Sequence, residues 1–238
     1  MLLYNQLLYQ NLPDVSSVLS SRSKLIGKSA LFGTGSDLYL PSKDLVQAAA
    51  ALVDPLKTDL AVLNIEHWPL PSSIWNYVAV VEWFREALNP AVKIGYYGMV
   101  PKRDYWRALK PAAHADFIAW QQENNQLAPL VNAVDILCPS IYTFYPDRAG
   151  WVTYAIANLD EAFRIGNGKP VYPYIWPQYH DSNATLGLQH LTGSYWRQQL
   201  DTLKTRPIAG AIVWGGWQQP WKADACWWGE TVEFAATL

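Results

Sequence analysis

The sequence has little charge, few cysteines and few histidines, and these shortages exclude several classes of protein. Only 16% of its 238 residues are charged and the net charge is -2, which gives no reason to expect the basic face that nucleic-acid binding normally needs. Half of the residues are hydrophobic, which excludes a disordered chain. We therefore expect a single catalytic-type domain over residues 1–238, with a substantial core and no nucleic-acid partner.

Motifs for metals and for membranes are also missing. The four histidines form no cluster, and neither CxxC nor HExxH occurs, so we expect no metal and no cofactor. The first residues, MLLYNQLLYQNLP, resemble neither a signal peptide nor a membrane span. We expect no membrane partner, and a secreted or periplasmic location if a leader was removed, otherwise a cytoplasmic one. The sequence does not indicate the oligomeric state.

Tryptophan and tyrosine, by contrast, are abundant. The chain has 13 Trp and 14 Tyr, and core packing alone rarely needs so many, because each buried indole N–H requires a partner. Flat apolar rings with polar edges suit a sugar-binding cleft, since a pyranose presents C–H groups on one face and hydroxyls at its rim. We expect most of these rings to pack in the core and the others to line such a cleft.

Short apolar runs alternate with longer amphipathic ones along the chain. The predicted strands are residues 2–9, 24–32, 59–66, 92–99, 134–142, 170–176 and 208–214. The predicted helices are residues 12–19, 43–53, 73–88, 103–126, 149–165, 194–204 and one near Glu230. This alternation is typical of a closed barrel or an open doubly wound sheet. No GxGxxG or P-loop motif follows a strand, so the pattern favours an α/β fold, a (β/α) TIM-like barrel with seven strands.

The third predicted strand ends in a candidate catalytic pair. Functional residues of such barrels lie at the carboxyl ends of strands, and residues two apart on a strand share a face. Asn64 and Glu66 should therefore project together into the barrel mouth, with Trp68 just beyond. Aromatic walls remove water from a carboxyl group, which raises its pKa and keeps it protonated as a general acid. The alternative role for Glu66 is a structural salt bridge or a helix cap.

Most glycosidases need a second carboxylate, and none ends another predicted strand. Asp37 and Asp181 lie several residues past their strands, in loops. One acid beside an amide suits substrate-assisted hydrolysis, in which the 2-acetamido oxygen of the sugar attacks the anomeric carbon. Glu66 then acts as acid and later as base, and Asn64 holds the acetamido group. A conventional glycosidase with Asp181 or Asp37 as partner is the alternative mechanism.

Four segments resemble the hyaluronidase family of glycosidases, in the family's order. They are DLAVLNIEHW at 59–68, GYYGMVP at 95–101, CPSIY at 138–142 and AIVWG at 211–215. They are similar to the family's Asp-x-Glu strand end followed by Trp, its Gly-Tyr-Tyr-x-x-Pro, its Pro-Ser-Ile-Tyr and its closing Val-x-Trp-Gly. The resemblance implies a barrel with seven strands, the number predicted here.

The resemblance also implies roles for individual residues. Glu66 takes the place of the family's general acid, and Tyr142 lies beside the acetamido group. Trp214 walls the pocket for the acetyl methyl, and Tyr97 contacts the sugar. Strand parity agrees, because each of these three aromatic residues shares a face with the residue two positions earlier. Plain filling of the barrel core would produce the same parity.

Further residues near these strand ends are expected to bind the sugar. Trp68 and Trp176 would supply stacking surfaces for the flat face of a pyranose ring. His180 and Asp181 lie beyond the strand that contains Trp176. They would add polar contacts to sugar hydroxyls, or else they are solvated loop residues.

Asn64 departs from the family, which has Asp at this position. An aspartate accepts the acetamido N–H and offsets the positive charge that develops there, whereas a neutral amide supplies no charge. Asn-x-Glu also resembles the endo-β-N-acetylglucosaminidases, in which the asparagine serves the acetamide. The sequence thus predicts a glycoside hydrolase acting on an N-acetylhexosamine-containing polysaccharide or glycan. The alternative is a non-catalytic carbohydrate-binding barrel that has lost turnover through Asn64.

Overall fold

Strands and helices alternate through the chain in the structure, a computed structural model that describes residues 1–34, 40–216 and 219–238. The strands are β1 (Leu2–Leu7), β2 (Ser23–Ile26), β3 (Leu60–Leu63), β4 (Lys93–Tyr96), β5 (Tyr174–Ile175) and β6 (Gly210–Gly215). The helices are α1 (Lys28–Phe32), α2 (Lys43–Ala51), α3 (Ile74–Ala87), α4 (Tyr105–Ala108), α5 (Ala115–Asn125), α6 (Ala128–Ala133), α7 (Arg148–Gly166), α8 (Gly193–Lys204) and α9 (Cys226–Ala235).

The strands form two parallel sheets of three strands each. One sheet has the order β1-β6-β5, with Tyr4 opposite Ile212. The other has the order β2-β3-β4, with Val62 opposite Gly95. An isolated bridge joins Tyr4 to Ser20, just before β2. Parallel neighbours need long crossover connections, and the helices supply them.

Isolated bridges also link the two sheets on their other side. Residues 136–141 pair through Cys138 with Tyr97, directly after β4, and through Ser140 with Tyr174 in β5. This segment occupies the position of the fifth predicted strand but forms bridges in place of a regular ladder. The described part of the chain therefore contains six strands and one bridged segment, where seven strands were predicted.

Proline explains why two predicted strands are incomplete. The prediction for 134–142 contains Pro139 and that for 170–176 contains Pro173, and a proline has no N–H to donate to the ladder. The first segment therefore keeps only bridges, and the second keeps the two-residue strand β5. The proline carbonyls still pair, because the Tyr174 N–H donates to the Pro139 oxygen at 2.8 Å.

Three other predicted elements are wrong, two of them in part. The predicted helix 103–126 is split into α4 and α5, because Pro111 lacks the N–H that a continuous helix needs. The predicted strand 24–32 stops with β2, and Gly27 leads into α1. The predicted helix 12–19 is wrong as a whole, because these residues, all of which the structure describes, form only a turn at 16–18.

Alternation along the strands divides the buried side chains into two sets. In β3, Leu60 and Val62 point to the interior between the two sheets, whereas Ala61 and Leu63 face the helices. The inner set comprises Tyr4, Leu60, Val62, Ile136, Cys138, Tyr142, Tyr174, Trp176 and Ile212. Side chains that continue the inner faces past the strand ends are therefore brought together at one end of the molecule.

The two cysteines do not pair: Cys138 is buried, Cys226 is exposed, and both are free thiols. Within residues 1–34, 40–216 and 219–238, no helix combines the length and the apolar composition that crossing a bilayer requires. The same residues contain no group of three or more His, Cys, Asp or Glu side chains that could hold a metal ion.

Candidate active site

A cavity of about 430 Å³ opens at the carboxyl ends of the strands. Its lining combines carboxyl, amide and hydroxyl groups with aromatic rings. The lining residues are Leu8, Leu25, Gly27, Ser29, Asn64, Glu66, Tyr97, Tyr142, Tyr174, Trp176, His180, Asp181 and Trp214. Concave sites with apolar walls and a few convergent polar groups are typical of small-ligand binding, so this cavity is the candidate active site.

Asn64 and Glu66 both line the cavity, in the segment that directly follows β3. Ile65, between them, is only 1% exposed and packs with the outer set of buried residues. The Asn64 N–H donates to the Ile26 carbonyl at 2.9 Å, which extends the pairing with β2 beyond the end of β3. The predicted shared face of Asn64 and Glu66 is therefore present.

The side-chain oxygen of Asn64 has an unused capacity to accept a hydrogen bond. Its Oδ1 atom is buried and has no hydrogen-bond partner among the described residues. A buried acceptor without a donor typically costs about 1–3 kcal/mol, and folded proteins contain few such atoms. Because Asn64 lines the cavity, a rotation of its side chain would bring this buried oxygen within reach of an N–H group of a bound molecule.

The carboxyl group of Glu66 is suited to hold a proton. Partial burial raises its pKa above the ordinary value, because the charged form loses hydration, and the nearby charge of Arg103 opposes this effect without outweighing it. No salt bridge joins Glu66 to any other residue that the structure describes. The side chain is exposed toward the cavity mouth, so a bound substrate can reach it.

Two tyrosines from neighbouring segments meet inside the cavity. The Tyr97 hydroxyl lies 3.2 Å from Ser140 Oγ, and the rings of Tyr97 and Tyr142 have centroids 5.9 Å apart. Burial raises the pKa of both phenols, so both hydroxyls stay protonated and can donate hydrogen bonds. The predicted site residues Tyr97 and Tyr142 therefore lie in the same cavity as Glu66.

An aromatic corner closes the cavity on the side of β5 and β6. The rings of Tyr142 and Trp214 stack at 5.9 Å, and Trp176 meets Trp214 edge-on at 4.6 Å. Trp176 is only 3% exposed, and its indole N–H donates to Gln178 Oε1 at 2.8 Å. Trp214 is the more accessible ring of the two tryptophans.

The prediction that Trp68 stacks on a sugar is wrong for this structure. Trp68 is 5% exposed and packs against Phe32, His67 and Tyr77 in the outer core, away from the cavity lining. The alternation of β3 continues past Leu63 as far as Glu66, but the chain bends at Trp68, which turns this side chain into the outer core.

His180 and Asp181 both line the cavity, as the prediction of polar contacts requires. His180 Nδ1 lies 3.0 Å from Asp181 Oδ1 and 2.8 Å from Ser182 Oγ. Burial lowers the pKa of His180, and Arg103 adds to this effect while Asp181 opposes it. Asp37, the other candidate partner carboxylate, lies outside the described residues.

Sequence reasoning missed several residues at the site, among them Tyr174 in the lining and the nearby Arg103. Tyr174 lines the cavity and donates its hydroxyl hydrogen to Gln6 Oε1 at 2.8 Å. Its position two residues before Trp176 was a signal, because both lie on the inner face. Arg103 influences Glu66 from the loop after β4, and strand parity gives no guidance for a residue so far past its strand.

No protein-family model matches the sequence, and no curated protein matches it either. Similar folds occur among solved glycoside hydrolases. Bee venom hyaluronidase matches with a TM-score of 0.57 and 17% identity over 91% of this chain and 84% of that one. The same enzyme in complex with a hyaluronic acid tetramer matches with a TM-score of 0.55 and 18% identity, over the same shares of the two chains.

A modular endo-β-1,4-mannanase from Cellulomonas fimi, of glycoside hydrolase family 26, matches with a TM-score of 0.52 and 12% identity over 94% of this chain and 65% of that one. Identities this low establish similarity of fold alone. The chain thus has a fold similar to those of TIM-barrel glycoside hydrolases.

Proposed function

We propose that this chain is a glycoside hydrolase that cleaves an N-acetylhexosamine-containing polysaccharide or glycan by a substrate-assisted, retaining mechanism. The observation that carries the proposal is the unpaired Oδ1 of Asn64 in the same cavity as Glu66. The first group can accept the N–H of a 2-acetamido substituent. The second, with its raised pKa, can give a proton to the glycosidic oxygen.

In the first step, the protonated Glu66 donates its proton to the oxygen of the leaving sugar as the glycosidic bond breaks. The acetamido oxygen of the substrate attacks the anomeric carbon from the opposite face and forms an oxazolinium ring. Asn64 accepts the acetamido N–H, which turns the acetamido oxygen toward that carbon. Holding the two reacting atoms in this arrangement lowers the entropic barrier to ring closure.

In the second step, the Glu66 carboxylate takes a proton from a water molecule. The water oxygen attacks the anomeric carbon, and the bond to the acetamido oxygen breaks, which restores the acetamide. Two inversions at one carbon give net retention of configuration. Glu66 ends the cycle protonated, so no second carboxylate is required.

The remaining residues of the cavity would bind the acetamide and the sugar. Tyr142 would donate its hydroxyl hydrogen to the acetamido oxygen, since burial keeps the phenol protonated. Trp214 would cover the acetyl methyl, and Trp176 would hold the ring of Trp214 from its edge. Tyr97 would contact the sugar, and Asp181 would bind a hydroxyl at the mouth.

We also propose that the two sheets belong to one closed barrel with seven strand positions. Residues 136–141 would be one of these seven strands, and Pro139 would prevent it from forming a regular ladder. The bridges of Cys138 with Tyr97 and of Ser140 with Tyr174 support closure on this side, and that of Tyr4 with Ser20 supports it on the other.

Product analysis on a panel of acetamido polysaccharides tests the proposed activity. The wild type should release oligosaccharides from at least one of them, and Glu66→Gln should release none, because the amide cannot donate the proton. Glu233→Gln is the matched control, since Glu233 is exposed on α9, away from the cavity lining. Equal product from wild type and Glu66→Gln would overturn the role of Glu66.

A non-catalytic carbohydrate-binding barrel is the second candidate function, because the neutral Asn64 supplies no charge to the intermediate. Binding without turnover by both the wild type and Glu66→Gln would establish that function. Turnover by the wild type would exclude it.

A conventional mechanism with two carboxylates is favoured by one observation, the presence of Asp181 in the same cavity as Glu66. The Asp181 carboxylate lies 3.0 Å from His180 Nδ1, and its side chain is 66% exposed. This mechanism does not use the acetamide, so it predicts cleavage of substrates that lack one. It also predicts that Asp181→Asn abolishes turnover.

A further inference from the structure

An exposed pair of aromatic rings lies outside the cavity, on the loops that follow β4 and the bridged segment. Trp106 in α4 is 60% exposed and Tyr145 is 37% exposed. Their ring centroids are 5.0 Å apart and their planes are tilted by 46°. We call Trp106 and Tyr145 the outer aromatic platform. Large exposed rings side by side are unusual on a protein surface unless they contact a partner.

The outer aromatic platform packs on a buried tyrosine ring. Tyr105 is 8% exposed and contacts both rings, at 5.1 Å from Trp106 and 4.7 Å from Tyr145. Tyr105 in turn packs on the buried ring of Tyr154 at 5.0 Å. A preorganised aromatic surface loses little conformational entropy when a ligand binds. The platform is therefore ready to bind a flat apolar face.

Side-chain contacts lead from the cavity lining towards this platform. Phe144, next to Tyr145 in the chain, lies 4.4 Å from the ring of His180, which lines the cavity. The Arg103 guanidinium lies over the Phe144 ring at 4.3 Å and donates to Ser140 Oγ at 3.4 Å. Between the cavity lining and the platform there are thus one aromatic ring, Phe144, and one exposed cation with hydrogen-bond donors, Arg103.

We infer that the outer aromatic platform binds a second sugar ring of the same oligosaccharide, beyond the unit held in the cavity. The inference rests on the proposed function. A pyranose has a C–H face that packs on aromatic rings and a rim of hydroxyls that needs polar partners. Trp106 and Tyr145 supply the rings, and Arg103 supplies donors along the way. A chain of several sugar units therefore gains contacts that a short one cannot make.

Binding of short and long oligosaccharides tests this site. The probes are N-acetylhexosamine oligosaccharides of two and of six units, from chitin and from hyaluronan, titrated calorimetrically into the full chain carrying Glu66→Gln to prevent turnover. Adding Trp106→Ala should weaken the six-unit ligand by about ten-fold and leave the two-unit ligand unchanged, the size expected for one lost aromatic contact. Trp106→Phe keeps a ring and should restore most of the affinity.

Trp75→Ala is the matched control, because Trp75 is 66% exposed on α3 and makes no ring contact with a described residue. The inference is overturned if Trp106→Ala weakens both ligand lengths equally or neither, if Trp75→Ala has the same effect, or if no probe binds. Tighter binding of the long ligand without any hydrolysis by the wild type would support the platform and contradict the proposed activity. Hydrolysis by the wild type, combined with the same preference for the six-unit ligand after Trp106→Ala, would support the proposed activity and contradict the platform.

Discussion

The ring of Tyr142 stacks on the ring of Trp214, with centroids 5.9 Å apart and planes 27° apart. The two residues come from segments more than seventy positions apart in the chain, yet both line the same cavity. Tyr142 contributes a protonated hydroxyl and Trp214 an apolar face. In the proposed mechanism, these are the two features that an acetamido group needs, since it has a polar oxygen and an apolar methyl.

Removing the hydroxyl of Tyr142 should slow catalysis without unfolding the protein. Tyr142→Phe keeps the stack on Trp214 but loses the donor that orients the acetamido oxygen, so kcat should fall by about 100-fold, the effect expected when a reacting group is no longer held in position. Tyr96→Phe is the control, because Tyr96 faces the outer core, where its hydroxyl donates to the Tyr77 carbonyl at 3.3 Å. Similar kcat values for the two variants in a steady-state assay would contradict the role of Tyr142.

Trp68 and Trp214 should respond to truncation in opposite ways. Trp68→Ala removes a buried ring from the outer core and should destabilise the protein by about 3–5 kcal/mol. Trp214→Ala removes a more accessible ring and should cost less stability, while kcat/KM falls by about ten-fold or more through the lost wall of the cavity. Urea unfolding and steady-state kinetics on both variants measure the contrast. A larger loss of stability in Trp214→Ala would contradict it.

Glu66→Gln should abolish activity and raise thermal stability at neutral pH. The raised pKa means that the folded state holds the Glu66 proton more tightly than the unfolded chain does. Stability from this group is therefore complete below its ordinary pKa of 4.5 and is lost as the pH rises through the folded value. The glutamine does not titrate. The Tm of the variant should therefore exceed that of the wild type only where the pH is above the ordinary pKa of Glu66.

Thermal unfolding of both proteins from pH 4 to pH 8 measures this difference. The gain in Tm should disappear at the acid end, where Glu66 of the wild type is protonated in both states. A lower Tm for Glu66→Gln at neutral pH would show that the carboxylate stabilises the fold, and it would assign Glu66 a structural role.

Arg103 should set the position of the alkaline limb of the pH profile. Its positive charge lowers the pKa of Glu66 against the larger effect of burial. Arg103→Gln removes that charge, so the pKa of Glu66 should rise and the fall in kcat/KM should occur at higher pH. Arg103→Lys keeps the charge and should leave the limb near its wild-type position. A limb that moves to lower pH in Arg103→Gln would contradict this assignment.

Strand parity predicted much of the site because it depends only on local geometry. Ile212 and Trp214 share the inner face of β6, and Asn64 with Glu66 continue the alternation of β3 just past its end. Parity failed for Trp68 because nothing in the spacing of residues shows that the chain bends at this position. Side-chain alternation can therefore be predicted only as far as the chain stays extended.

Long-range features were beyond the sequence. Pro139 was visible, but its effect on pairing depends on the strands that lie beside it in the folded chain. The position of Arg103 over Phe144 is set by two loops from different parts of the chain. The unpaired oxygen of Asn64 likewise becomes apparent only when every neighbouring donor is placed.

The most direct test of the central claim is a rate comparison on substrates that differ only in the acetamido group at the cleaved sugar. A matched series of aryl oligosaccharides would carry N-acetyl, N-trifluoroacetyl and hydroxyl groups at that carbon. If the acetamido oxygen is the nucleophile, kcat should be highest for N-acetyl, lower for the electron-poor N-trifluoroacetyl, and undetectable for hydroxyl. Comparable rates across the series would contradict substrate assistance and show that the protein supplies the nucleophile or the base.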